Sequence, residues 1–208
     1  GLAGKILFNN QKMTRDDDPD VAAMAAKKMF HERFPRVRLE VIDSLNVQMC
    51  QGWMVIEAAR AALKGFSLKE VKEKVQEMIP VSHMFQTADT LRYLYMGGRI
   101  GRAKHLMGSI LNIKPLIGME DGIIVALGTA RSRLKAYRSM VELMQQRVGE
   151  SARVRIAFTH VAAIEKLETL RGMVSERFEC VETIVTDLAP VLAVHSGPGT
   201  VGMSFFPL

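Results

Sequence analysis

Cysteine is scarce in this sequence: 208 residues hold two, Cys50 and Cys180, far apart and in apolar surroundings. That excludes a disulfide-stapled fold and any cysteine metal spacing, and it fits buried free thiols in a reduced compartment. Aromatic residues are only 6% of the chain, and no helix-turn-helix pattern or set of stacking rings accompanies them, so a nucleic-acid partner is not expected. No apolar run approaches the roughly 20 residues of a membrane span. A basic, apolar and small-residue leader is missing too, so the expected location is cytoplasmic. Neither a phosphate-binding glycine loop, a metal carboxylate set nor a kinase motif is present, which argues against an autonomous phosphotransferase. Internal repeats and low-complexity tracts are also lacking.

What remains is an ordinary globular composition, 48% hydrophobic and 24% charged, long enough for one large domain or two small ones. The net charge is +6. Arg131, Arg133, Lys135 and Arg138 crowd one predicted helix, and Arg99, Arg102 and Lys104 add to the excess. A basic surface without nucleic-acid motifs points to an acidic ligand or an acidic protein partner.

In chain order, residues 5–9 read as a short strand, and a polar stretch from Gln11 ends in Asp16-Asp17-Asp18-Pro19-Asp20, a helix start. A helix should follow to Phe34, then a strand over 37–42 that ends in Asp43-Ser44. Trp53–Leu63 is an apolar helix, and Ser67-Leu68-Lys69-Glu70 opens another as a capping box. With a further strand at 81–86 this predicts a strand–helix–strand pattern and a boundary near Pro80, the strand fitting either side of it. The second half should hold a helix at 90–95, a hairpin turning at Glu120-Asp121-Gly122, and a long helix over 132–148. Strands at 153–159, 180–185 and 201–205 and helices at 162–174 and 188–194 complete it, an α+β pattern.

The central stretch is Gly97-Gly98-Arg99-Ile100-Gly101. Two glycines, a guanidinium and a predicted helix start near Gly101 would suit a carboxylate or phosphate; a plain connector with a solvated arginine fits the same residues. His195 precedes Ser196-Gly197-Pro198-Gly199-Thr200, a loop able to offer backbone N–H groups to an anion, or else the histidine caps its own helix. Arg131 opens the basic helix and has a surface-arginine alternative. Fourteen methionines suit either an acyl tunnel or ordinary core filling.

Leu91-(x2)-Leu94-(x2)-Gly97-Gly98-Arg99-Ile100 and Leu111-Asn112-Ile113-Lys114-Pro115 resemble the signature of the DegV family of bacterial fatty-acid-binding proteins. Val41-Ile42-Asp43-Ser44, Arg131 and His195 through Thr200 agree with that family in order and spacing. The resemblance runs from about Val21 to the C-terminus. It implies a two-domain α/β architecture: residues 1–80 as a truncated parallel-sheet layer on the acyl-tail side, and 81–208 as an α+β unit with an antiparallel hairpin, facing the head group. It also implies a non-enzymatic carrier that presents an acyl carboxylate to a separate ATP-dependent fatty-acid kinase. No cofactor is implied beyond the bound long-chain fatty acid, and no membrane span, although transient membrane contact is compatible with it. Arg99, Arg131 and His195 would lie at the head group in support of phosphotransfer; Gly97, Gly98, Ser44, Ser196 and Gly197 complete the ligand-binding set.

The sequence departs from the family in three places. The early Thr-Ser motif is missing, Thr14 to Asp20 stand where a hydroxyl-rich motif belongs, and Val47, Gln48, Met49 and Cys50 replace small polar residues. The alternative is therefore a degenerate interaction module that no longer binds lipid. For a carrier, Met24, Met54 and Leu94 should line one apolar tunnel, Arg99 and Arg131 should share an anion, and Asp16, Asp17 and Asp18 should lie outside the cleft.

Overall fold

The structure, a computed structural model, describes the backbone of residues 4–9, 20–108 and 113–208, and the side chains of 23–106 and 113–208. The polar run with Asp16–Asp18 and the Leu111-Asn112 pair lie outside the described residues. Strand β1 (Gly4–Asn9) pairs in parallel with β2 (Arg38–Asp43), and helix α1 (Asp20–Arg33) connects them. Helices α2 (Gln48–Leu63) and α3 (Leu68–Met78) follow. Ser67 caps α3: its Oγ accepts from the Glu70 N–H, and the Glu70 carboxylate accepts from the Ser67 N–H, as the capping box requires.

The remaining strands are β3 (His83–Thr87), β4 (Lys114–Glu120), β5 (Ile123–Ala130), β6 (Arg153–His160), β7 (Glu179–Asp187) and β8 (Val201–Pro207). They form one sheet in the order β5-β4-β3-β8-β6-β7, antiparallel except for the β6–β7 pair. The helices of this half are α4 (Arg92–Met96), α5 (Arg133–Val148), α6 (Ile164–Ser175) and α7 (Pro190–Ser196). The β4–β5 hairpin turns at Asp121-Gly122, both at positive φ, as an Asp-Gly pair favours.

The strand at 81–86, which the sequence leaves open to either side of the boundary near Pro80, joins the second sheet: β3 pairs antiparallel with β4 and β8 and not with β1–β2. The reason lies in burial. From Met84 to Thr87 β3 is buried at every position, which needs cover on both faces, whereas β2 is buried only intermittently. Helix α2 also starts at Gln48 rather than Trp53, with Val47 before it offering no side-chain cap.

Both faces of the six-stranded sheet are covered. On one, Phe85, Ile156, Phe158, Met203 and Phe205 meet Tyr137, Met140 and Met144 of α5 and Leu167 and Leu170 of α6. On the other, Ala157 and Phe206 join Trp53, Met54 and Ala58 of α2 and Val71, Val75 and Met78 of α3. A third cluster under β4 and β5 gathers Leu91, Leu94, Ile100, Ala103, Ile117 and Ile124. Burying apolar surface at about 25 cal/mol per Å² makes these interfaces the main source of stability.

Candidate functional site

The double glycine ends a helix rather than starting one. Gly97 caps α4; Gly98, at φ 68°, takes the left-handed turn, and its N–H bonds to Tyr95 O while the Arg99 N–H bonds back to Leu94 O at 2.9 Å. The segment Gly101–Gly108 that follows is a 3₁₀ helix, not an α-helix. Arg99 Nη1 donates to Gly97 O at 3.2 Å, which folds the half-buried guanidinium over its own turn.

His195 arrives at the same place from the other end of the chain. Helix α7 packs its C-terminus on α4, and a Cβ built on Gly97 would strike Nδ1 and Cε1 of the imidazole. Among the described residues neither ring nitrogen of His195 is hydrogen-bonded, so it does not cap its own helix. Gly197, at φ 79°, lies against the Tyr93 ring in the same way. Two glycine-dependent close approaches thus bring the α7 end, with His195 and Gly197, against α4 and the turn at Gly97.

Two backbone donors of the loop after His195 are bonded within the protein. Gly197 N–H bonds to Ala193 O and Gly199 N–H to Val161 O, and Pro198 has none. Its brace is Arg133, which the sequence reading passed over. Nη1 donates to Gly199 O at 2.9 Å and Nη2 to Asp89 Oδ1 at 2.5 Å. Lys114 Nζ lies 2.6 Å from the same carboxylate and Lys166 Nζ 3.8 Å from its other oxygen. Burial would raise the Asp89 pKa, but the Lys114 hydrogen bond and the three cations outweigh it and hold the carboxyl below its ordinary value.

Arg131 is exposed and has no hydrogen-bond or ion-pair partner among the described residues. Ser44 is fully buried, and its hydroxyl donates to Asn46 O at 3.0 Å, within the turn that follows β2. The tunnel expectation is corrected as well. Met24 is exposed on α1, Met54 is sealed in the α2–α3 core, and Leu94 belongs to the separate cluster under β4 and β5, so the three do not line one space. No group of three or more His, Cys, Asp or Glu among the described residues is arranged to hold a metal ion.

A sequence model of the DegV family, described as uncharacterised proteins, matches residues 20–208. A DegV domain-containing protein of Clostridium acetobutylicum is 33% identical over 184 residues, 88% of this chain and 64% of the relative. Another, from Caldanaerobacter subterraneus subsp. tengcongensis, is 32% identical over 168 residues, 81% of this chain and 60% of that one. The chain thus spans about three fifths of the length of these curated relatives. A DegV family protein of Thermus thermophilus, described as binding fatty acid, superposes with a TM-score of 0.83 at 27% identity, over 90% of this chain and 67% of that one. A DegV lipid-binding protein of Thermotoga maritima has the same fold, with a TM-score of 0.88 at 20% identity over 99% of this chain and 70% of its own.

Proposed function

This chain belongs to the DegV family, and we propose that it binds a long-chain fatty acid and presents the carboxylate to a separate ATP-dependent kinase. The observation that carries the reading is the meeting of Arg99 and His195 at Gly97, which sets a permanent cation and a titratable imidazole at one turn. The fatty-acid binding described for the 27%-identical Thermus thermophilus relative supports it. In this reading Arg99 and His195 hold the carboxylate, Gly97, Gly98, Ser196 and Gly197 shape its seat, and Ser44 closes the loop behind it. Arg131, exposed just before α5 and unpaired among the described residues, is left for the phosphoryl group or the kinase surface. The chain supplies binding and the partner supplies the reaction. The division into 1–80 and 81–208 and a cytoplasmic location are part of the same proposal.

A second reading, an interaction module that takes no lipid, draws on one observation: Met54 and Leu94 are sealed in separate cores. Denaturing mass spectrometry of the purified protein separates the two. A co-purifying fatty acid is expected, lost in Arg99→Ala and His195→Ala. Arg131→Ala should retain the lipid yet lose acyl-phosphate formation when kinase and ATP are supplied. If the protein carries no fatty acid and takes up none when it is added, the carrier reading fails and the interaction module stands.

A further inference from the structure

Behind Ser196 runs a chain of neutral side chains that the fatty-acid reading does not use. On the sheet face under α2, Gln86 of β3, Gly202 of β8 and Thr159 of β6 lie directly opposite one another. Gly202 has no side chain, and a Cβ there would press on Thr159 Oγ1 and on Phe85 O. Gln48, at φ 57° in the first turn of α2, reaches the same end of the sheet: its Nε2 donates to Gln86 Oε1 at 2.5 Å. Thr159 Oγ1 donates to Gln48 Oε1 at 3.2 Å, and Gln86 Nε2 donates to Ser196 Oγ at 3.2 Å. Thr200 Oγ1 closes the series by donating to Ser196 O at 2.9 Å.

Direction matters in this series. Each carboxamide accepts on its oxygen and donates from its nitrogen, so the donors all run toward Ser196. Ser196 Oγ takes Gln86 on a lone pair, and its hydroxyl hydrogen has no acceptor among the described residues. Ser196 is 7% exposed and Gln86 2%, so water competes poorly for that proton and leaving it unspent is costly. The residue before Ser196 is His195, which lies on Gly97.

We propose that Gln48, Gln86 and Thr159 are positioning residues that orient the Ser196 hydroxyl as a hydrogen-bond donor to the oxyanion held by Arg99 and His195. This rests on the fatty-acid reading and deepens it. The glutamine that replaces a small polar residue of the family after Asp43-Ser44 becomes part of the head-group machinery instead of a defect in it. The relay carries no charge, so it adds a donor without offsetting the attraction of Arg99.

The test compares palmitic acid with hexadecanol, which share a tail and differ in head. Gln86→Met keeps the side-chain length and removes the donor. We expect it to weaken palmitic acid by about tenfold, the worth of a hydrogen bond to a charged group, and hexadecanol by less than about twofold. Ser196→Ala should do the same, and the Gln86→Met/Ser196→Ala double variant should be no weaker than Ser196→Ala alone. Gln48→Met, at the half-buried end of the series, repeats the measurement where the substitution is easier to accommodate. The inference is overturned if the variants weaken acid and alcohol equally, if they weaken neither, or if the double variant's losses add. A wild-type protein that binds no palmitic acid overturns the fatty-acid reading itself, and this inference with it.

Discussion

Gly97 has an ordinary backbone, φ −75° and ψ −7°, so alanine there meets no torsional penalty. Its methyl group would instead occupy the space of the His195 ring. Gly97→Ala should therefore cost only about 1–3 kcal/mol of stability, the usual range for overpacking, yet displace the imidazole and abolish fatty-acid retention in mass spectrometry. Retention at the wild-type level would separate His195 from the ligand. His83 makes a different residue-scale case. It packs against Phe85 and Phe205, and burial, with a smaller contribution from Arg147, pushes its pKa down to about 4. Between that value and the ordinary histidine pKa the unfolded chain binds the proton and the folded chain does not, so stability falls as the solution is acidified through this window. Partial exposure trims the effect to about 1–2 kcal/mol. Urea midpoints measured from pH 7 to pH 4 should fall in the wild type, and His83→Leu should flatten that part of the curve.

Among the elements, α2 carries the most. Its Trp53 Nε1 donates to Ser204 O at 3.2 Å, and its Glu57 Oε1 accepts from Arg60 and Arg155, each at 2.8 Å. Arg60 and Arg155 in turn reach Glu182 of β7, at 2.7 and 3.0 Å, so a four-residue ion network ties the helix to β6 and β7. The Arg60 hydrogen bond, opposed by some desolvation, lowers the Glu182 pKa. Its contribution is thus complete above the ordinary carboxyl range and is lost as the pH falls through the depressed value. Glu57 is the most enclosed member, and Glu57→Leu leaves two guanidiniums facing one carboxylate. A loss of about 2–4 kcal/mol is expected in urea unfolding with an unchanged m value. A loss within about 0.5 kcal/mol, the level of an exposed pair, would reduce the network to surface decoration.

At the scale of the whole molecule, the question is whether residues 1–80 and 81–208 unfold together. Their shared core decides it: Trp53 and Met54 of α2 bury against Ala157 of β6 and Phe206 of β8. Trp53 is the single tryptophan and is fully buried, so its fluorescence reports on this junction alone. Fluorescence and far-ultraviolet circular dichroism should trace one coincident transition in urea. Two separated transitions would make residue 80 a thermodynamic boundary. The cationic excess acts at this scale too. Asp89 is surrounded by Lys114, Arg133 and Lys166, so its single negative charge braces a positive surface instead of neutralising it.

The sequence by itself determined the elements with local signals. Ser67 and Glu70 announce α3 through the capping box, and Asp121-Gly122 announces the hairpin through the backbone region both residues adopt. The resemblance to the DegV family put Gly97, Arg99 and His195 on one list; the residue types alone fit a plain connector and a helix-capping histidine as well. Tertiary structure alone decided where β3 pairs, since strand partners depend on which faces need cover and not on chain order. It also chose Arg133 over Arg131 as the brace. Two arginines two residues apart near the start of a helix look alike in sequence, and only the position of Asp89 and of Gly199 O tells them apart. The Gln48–Gln86–Ser196 series was illegible for the same reason. Hydrogen bonds between residues 38 and 110 positions apart leave no periodic trace in a chain, because their geometry is set by the packing of α2 and α7 on the sheet.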